Sequence, residues 1–262
     1  MKEYLVVGGH GFIGSHFCSR LNPEDYDVYD LDNPNGDPPE AWLKERKKGL
    51  NPSVADIYDN HSYKYLIYFA SWAGIRSKRD SLDYFENNCL KFAEVVRKCN
   101  FSKLVYISSS SVLGDVETAY SLSKKIAEEF SKTQKYHLII RPFTVYGKYG
   151  RPEMFITKCI NQKHIVVNGD PSNIKRKFTY VEDLVDCVFS NLDKQGTINA
   201  IGEHKYSLKD IMNIFGNTYE CQEASPFDFN SQTFDEADNF ICQTKLEDVK
   251  DDLIASYKEL SA

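Results

Sequence analysis

No run of this sequence is apolar for long enough to cross a bilayer, and its seven cysteines include no CxxC pair. Those cysteines, at 18, 89, 99, 159, 187, 221 and 242, are odd in number and irregular in spacing. That pattern suits reduced thiols better than a disulfide framework. The six histidines form no HExxH or paired-ligand pattern, so no metal site is expected. A basic excess is missing too. Lys and Arg number 32 against 38 Asp and Glu, a formal net charge of -6, which argues against a general nucleic-acid binder but leaves room for an anionic small substrate. There is no internal repeat and no low-complexity linker. The chain enters a strand directly after Met1-Lys2-Glu3, without the apolar core of a signal peptide. A cytoplasmic protein with no membrane partner is the expectation.

What is present begins at once. Leu5-Val6-Val7 runs into Gly8-Gly9-His10-Gly11-Phe12-Ile13-Gly14, and an amphipathic segment leaves it at Ser15. A strand, a glycine-rich turn and a helix in this order form the opening of a dinucleotide-binding fold. Gly8 permits the tight turn, Gly11 clears space for a pyrophosphate, and Gly14 lets the helix pack closely. The helix start then offers N–H groups to the phosphates. Tyr26 to Asn33 reads as a second strand ending in an acid, and Asp32 falls near the offset at which a carboxylate holds the adenosine ribose. A carboxylate there repels a 2′-phosphate, so NAD is favoured over NADP.

Further on, a charged helix is expected near 41–48 and a short strand at 54–57. The run 65–70 reads as a buried strand ending at Phe69-Ala70, where a cofactor could lie. Helical periodicity covers 83–99, with Leu90, Phe92, Val95 and Val96 as its apolar members. Strands at 103–107 and 137–140 flank a helix at 120–131. Helices are also expected at 155–161, 181–192, 207–215 and 244–260, with Ser207 as an N-cap, and a strand at 165–167. The stretch 216–239 is polar and carries no clear signal. Alternating strands and helices of this kind imply an α/β fold, a doubly wound parallel sheet of Rossmann type.

The second chemical signal is Tyr120-Ser121-Leu122-Ser123-Lys124. Spacing of four puts the phenol and the ammonium on one helix face, where the cation would lower the phenol's pKa toward working pH. The pair follows a strand running into Ser108-Ser109-Ser110-Ser111, at the strand end where parallel sheets bind ligands.

Taken together these motifs resemble an extended short-chain dehydrogenase/reductase of the nucleotide-sugar epimerase/dehydratase group. The resemblance rests on Gly8 to Gly14, Leu31-Asp32-Asn33, Asp56-Ile57, Ser108-Ser109 before Val112-Leu113-Gly114, the Tyr120/Lys124 pair, Arg141 to Gly147 and Arg176 to Asp183. It implies NAD as cofactor, with Asp32 and Asn33 at the ribose, Asp56 and Ile57 beside the adenine, Phe69 and Ala70 lining the cofactor, and Asn88 supporting the site. It assigns Ser109, Tyr120 and Lys124 to catalysis. It also implies that Arg176 neutralises the diphosphate of a nucleotide sugar.

Three stretches, 108–114, 143–147 and 150–154, are closest to UDP-glucuronate 4-epimerases. In that subgroup Ser110, Ser111, Thr144 and Arg151 would face the uronate carboxylate. The departures are Leu113 in place of the usual tyrosine, a shortened 114–120 segment, and a trimmed region after Gly216. A Rossmann domain over 1–150, rejoined by parts of 178–202, and a small sugar-nucleotide lobe over 151–262 are expected. So is a homodimer, through the helices that begin near Asp83 and Tyr120. The implied reaction is 4-epimerisation of a UDP-sugar through a transient 4-keto sugar. A nucleotide-sugar 4-ketoreductase is the alternative, and a catalytically silent NAD sensor a further one. A 4,6-dehydratase is disfavoured because Ser110-Ser111 stands where that chemistry uses Asp-Glu.

Overall fold

The structure, a computed structural model, describes residues 2–31, 40–56, 61–73, 80–114, 117–223 and 238–261. Strand β1 (Tyr4–Val7) is buried at every position, as a strand covered on both faces must be. The chain continues through α1 (Phe12–Cys18), β2 (Tyr26–Tyr29), α2 (Glu40–Lys47) and β3 (Ser62–Tyr68). Then come α3 (Ser81–Phe85), one wider π-helical turn (Glu86–Leu90), α4 (Lys91–Lys98), β4 (Asn100–Ile107), α5 (Ala119–Lys132) and β5 (His137–Pro142). After β6 (Thr144–Tyr146), α6 (Phe155–Asn161), β7 (His164–Asn168) and β8 (Lys175–Tyr180), the chain forms α7 (Val181–Ser190), β9 (Gly196–Gly202) and β10 (Lys205–Ser207). It closes with α8 (Leu208–Phe215), β11 (Thr218–Gln222), β12 (Asp238–Cys242) and α9 (Leu246–Ser261).

Seven of these strands make one sheet in the order β12-β9-β5-β4-β3-β1-β2, every neighbouring pair parallel. The chain leaves β1 toward β2 on one side and β3 on the other. That reversal opens a crevice at the carboxyl end of β1, where the glycine turn sits. Helices cover both faces. Phe17 of α1 and Leu184, Val185 and Val188 of α7 pack on one, and Phe92, Val95 and Val96 of α4 with Ala127 of α5 pack on the other.

A second core gathers Ile156, Ile165, Val167, Phe178, Ile211, Met212, Leu246 and Leu253 around a three-stranded sheet (β10-β8-β6) and the β11-β7 pair. It is welded to the large sheet at close range. A Cβ on Gly202 of β9 would lie 1.9 Å from the Phe178 carbonyl oxygen, so only glycine fits there. Thr179 donates to the Ala200 carbonyl at 3.0 Å, and Asp183 accepts from the Thr244 amide at 3.0 Å and its hydroxyl at 2.6 Å.

Several expectations need correction. No strand spans 54–56, which are described. Ser53 forms a single bridge to Val28, and Val54 donates to the Val28 carbonyl, while Ile57 lies outside the described residues. Strand β2 ends at Tyr29 rather than continuing to Asn33, and Asp32 and Asn33 also lie outside the described residues. The helix expected over 83–99 contains the π turn, whose extra residue rotates the apolar face. Leu90 consequently points outward, 54% exposed, while Phe92, Val95 and Val96 remain buried. Strands β6, β8, β9, β10, β11 and β12 are additions to the sequence reading, and two of them, β9 and β12, extend the large sheet.

Candidate active site

A cleft of about 980 Å³ opens at the carboxyl ends of β1, β3 and β4. The glycine turn forms its floor. Gly8 has φ +79°, which disfavours a side chain, and a Cβ there would also fall 2.8 Å from the Ala70 amide. At Gly14 a Cβ would approach the Gly8 carbonyl oxygen to 2.2 Å, so this glycine seats α1 against the turn itself. Gly11 is the residue before α1 and has no side chain to cap it. The first-turn residues Phe12 and Ile13 line the cleft, as do Asp56, Phe69 and Ala70. A bare turn that a Cβ would fill, beneath an uncapped helix start, fits a dinucleotide's diphosphate.

The turn is braced from β2. His10 is buried, and its Nδ1 meets the Asp30 carboxylate while Nε2 lies 2.9 Å from the Asn51 carbonyl oxygen.

On the opposite wall stands Tyr120, in the first turn of α5. Thr118 caps that helix and exchanges hydrogen bonds with Ser121. Burial raises the Tyr120 pKa, opposed by a hydrogen bond with the Ser109 side chain and by the positive charge of Arg151. The expected role of Lys124 is therefore modified. Its Nζ donates to the Ile107 carbonyl at 2.7 Å and lies 4.3 Å from the centre of the Tyr106 ring. Burial takes Lys124 down to about 7, with Glu128 opposing. One turn further along, Glu128 accepts from Arg141 at 2.8 and 2.7 Å and from Ser108 at 2.5 Å.

Asn88 is a strut between elements. Its amide donates to the Trp72 carbonyl at 3.0 Å and to Ser123 at 2.9 Å, and its oxygen accepts from the Trp72 amide at 2.8 Å and Ser71 at 3.3 Å. All four hydrogen-bonding positions are used, so the π turn ties β3's exit to α5.

The residues assigned to the sugar do not all meet. Arg151 lines the cleft, close to Tyr120, with Nε 3.3 Å from Glu153 and Nη1 3.4 Å from the Ala73 carbonyl. Ser110 and Ser111 lie in the short helical turn after β4, where the Ser111 hydroxyl is buried with no hydrogen-bond partner. Thr144 is on β6, and Arg176 is on β8 across from Tyr206 of β10. None of these four is among the described residues lining the cleft. Sequence reasoning missed Arg46 and Glu128, which only tertiary packing brings to the site.

This fold and cleft define a Rossmann-type α/β protein with a dinucleotide-binding turn. The sequence model of the NAD dependent epimerase/dehydratase family matches residues 4–202, and the chain belongs to that family. Among its relatives is a UDP-glucuronate 4-epimerase of Thermodesulfobacterium geofontis, 30% identical, the match covering 82% of this chain and 80% of that one. UDP-glucuronate 4-epimerase 1 of Arabidopsis thaliana is 28% identical over 82% of this chain, which spans only 60% of that relative's length. A Bacillus cereus UDP-glucuronic acid 4-epimerase crystallised with UDP-glucuronic acid and NAD superposes with a TM-score of 0.82 at 24% identity, covering 98% of this chain and 99% of that one.

Proposed function

We propose that this chain is a nucleotide-sugar 4-epimerase, with UDP-glucuronate and UDP-galacturonate as its substrate pair. The observation that carries the reading is Tyr120 lining the cleft above the glycine turn, hydrogen-bonded to the Ser109 side chain and within electrostatic reach of Arg151, which lines the same cleft. NAD bound along that turn would supply a hydride acceptor at the sugar's C4. Tyr120 takes the C4 hydroxyl proton at its phenolic oxygen while Ser109 fixes the phenol's direction. Lys124, near neutrality, sits one turn below to exchange a proton with the site. The 4-keto sugar then turns over in the cleft, so that the hydride would return from the reduced cofactor to the opposite face of C4 while Tyr120 gives its proton back to the C4 oxygen.

Arg151 supports the choice of a uronate. A 4-keto uronate is a β-keto acid that loses carbon dioxide when its carboxylate bond aligns with the ketone π-system. A guanidinium holding the carboxylate out of that alignment protects it, with a charge-assisted geometry suited to a carboxylate. Ser110 and Ser111, in the turn after β4, and Thr144, on β6, would add hydroxyl donors to the bound sugar, and Arg176 would meet the diphosphate from the second lobe. We further infer a Rossmann part and a substrate lobe as separate working units. Cysteines odd in number and irregular in spacing suit a reducing, cytoplasmic setting. Leu82, Phe85 and Leu90 stand exposed next to Leu122 and Ile126 of α5, an apolar face suited to a second copy of the chain.

The test is turnover of UDP-glucuronate against UDP-glucose by the purified protein with NAD. The acid sugar is expected to be interconverted faster, with deuterium at C4 retained in the product. Arg151→Ala should cost the acid substrate about 2 kcal/mol in kcat/KM and leave the neutral sugar nearly unchanged. Stoichiometric consumption of reduced cofactor with a 4-keto sugar, and no epimer, would replace this reading with a 4-ketoreductase.

A further inference from the structure

The segment Gly147–Gly150 leads from β6 to Arg151, and its backbone is held in an unusual way. Tyr149 has φ +62°, the one positive value outside glycine among the described residues. A bulky residue there is strained by about 1 kcal/mol and persists only where its surroundings enforce it. Here they do. Each of the four successive carbonyls meets a side chain from another element. The Tyr257 hydroxyl of α9 donates to the Gly147 oxygen at 2.9 Å and stands 3.3 Å from that of Gly150. His16 of α1 reaches the Lys148 oxygen at 2.9 Å, its other ring nitrogen lying 2.5 Å from Glu182. Arg46 of α2 grips the Tyr149 oxygen with two donors, Nε at 3.2 Å and Nη2 closer still.

Arg46 is the unusual member. It is a fully charged side chain only 4% exposed, and burial together with the neighbouring charge of Arg151 lowers its pKa to about 10. The charge of Arg151 repels that of Arg46, Glu153 partly opposes it, and the group Arg46 grips, the Tyr149 carbonyl, is neutral. Such an arrangement costs stability unless fixed geometry or an anion offsets it. Its backbone grip falls two residues before Arg151, at the strained residue itself.

We propose that Arg46 is a positioning residue: through the Tyr149 carbonyl it sets where the Arg151 guanidinium stands beside Tyr120. The consequence for sugar choice rests on the reading of Arg151 as the uronate contact. The positioning itself does not, because Arg151 acts on the Tyr120 phenol whatever the sugar.

The experiment therefore has a substrate-free arm. Ionisation of Tyr120 is followed by ultraviolet difference absorbance of the NAD-bound protein against Tyr120→Phe, in Arg46→Met, Arg151→Ala and the double variant. Arg46→Met is expected to raise the phenol's pKa in the same direction as Arg151→Ala, and the double variant to go no further, since coupled residues do not add. An unshifted phenol in a folded Arg46→Met protein, or additive shifts, would overturn the proposal. Should Arg46→Met fail to fold, Arg46→Lys keeps the charge but loses the planar two-donor grip. A smaller upward shift is expected there, and an unshifted phenol again overturns the proposal. In the second arm, Arg46→Met should raise KM for UDP-glucuronate about tenfold with UDP-glucose unaffected, as for lost substrate binding. If both sugars respond alike while the phenol shifts as expected, the positioning stands and the uronate reading falls.

Discussion

The buried ammonium of Lys124 donates to the carbonyl oxygen of Ile107, which ties α5 to the carboxyl end of β4. Burial costs this lysine its charge, taking it from an ordinary 10.5 to about 7. Between those values the unfolded chain holds a proton that the folded chain has released. Stability from this group therefore rises with pH across the window from 7 toward 10.5. Urea unfolding of the cofactor-free protein at pH 7 and pH 9, compared with Lys124→Met, should show the unmodified protein gaining relative to the variant. A constant difference between the two would contradict the burial argument.

Tyr120→Phe should abolish turnover while leaving NAD affinity, measured by calorimetry, near that of the unmodified protein. Ser109→Ala should act differently. Loss of a hydrogen bond that lowers the phenol's pKa shifts the ascending, low-pH limb of the pH–rate profile upward and reduces turnover at neutral pH. An unmoved profile would remove Ser109 from the proton path.

Glu128 and Arg141 form a two-point pair with almost no solvent access, 2% and 8% exposed. Breaking such a pair from one side leaves an uncompensated charge, at a cost of about 3–5 kcal/mol. Glu128→Gln should lower the thermal midpoint by many degrees, whereas Lys132→Gln, whose exposed pair with Glu129 is worth little, should not. Similar midpoints for both variants would mean the buried pair contributes no more than a surface one.

If a second copy covers Leu82, Leu90, Leu122 and Ile126, sedimentation equilibrium should give twice the chain mass. Leu82→Glu with Leu122→Glu should give the single mass, because like charges would then face each other across an apolar contact. A protein that sediments as a monomer before any substitution would leave that face without its proposed partner.

Much of the site was legible because its signals are local. The glycines at 8, 11 and 14 and the Tyr120/Lys124 spacing each lie within one turn or two, where residue type dictates geometry directly. Ser207 likewise caps α8 as its type suggests, reciprocated by Asp210. What stayed hidden depends on backbone atoms or on distant chain. The partner of Lys124 is a carbonyl, which any residue at 107 would supply. The grip on Tyr149 joins α2 to a loop 103 residues later. The π turn at Asn88 has no composition that separates it from an ordinary helix. Strands β9 and β12 escaped the sequence reading because their pairing partners come from far earlier in the chain.

That last feature bears on how the molecule is made. The large sheet receives β9 only after the chain has passed through α6, β7 and β8, so β5 emerges from synthesis with one edge open. An unpaired, apolar parallel edge is a template for pairing with another chain. It stays bare until β9 arrives, more than fifty residues later by the spacing of Pro142 and Gly196. Only the first part of the second core, α6, β7 and β8, exists by then, and it too waits for α8 and α9. Nascent chains stalled before β9 should accordingly be the species most prone to aggregate and most dependent on chaperones.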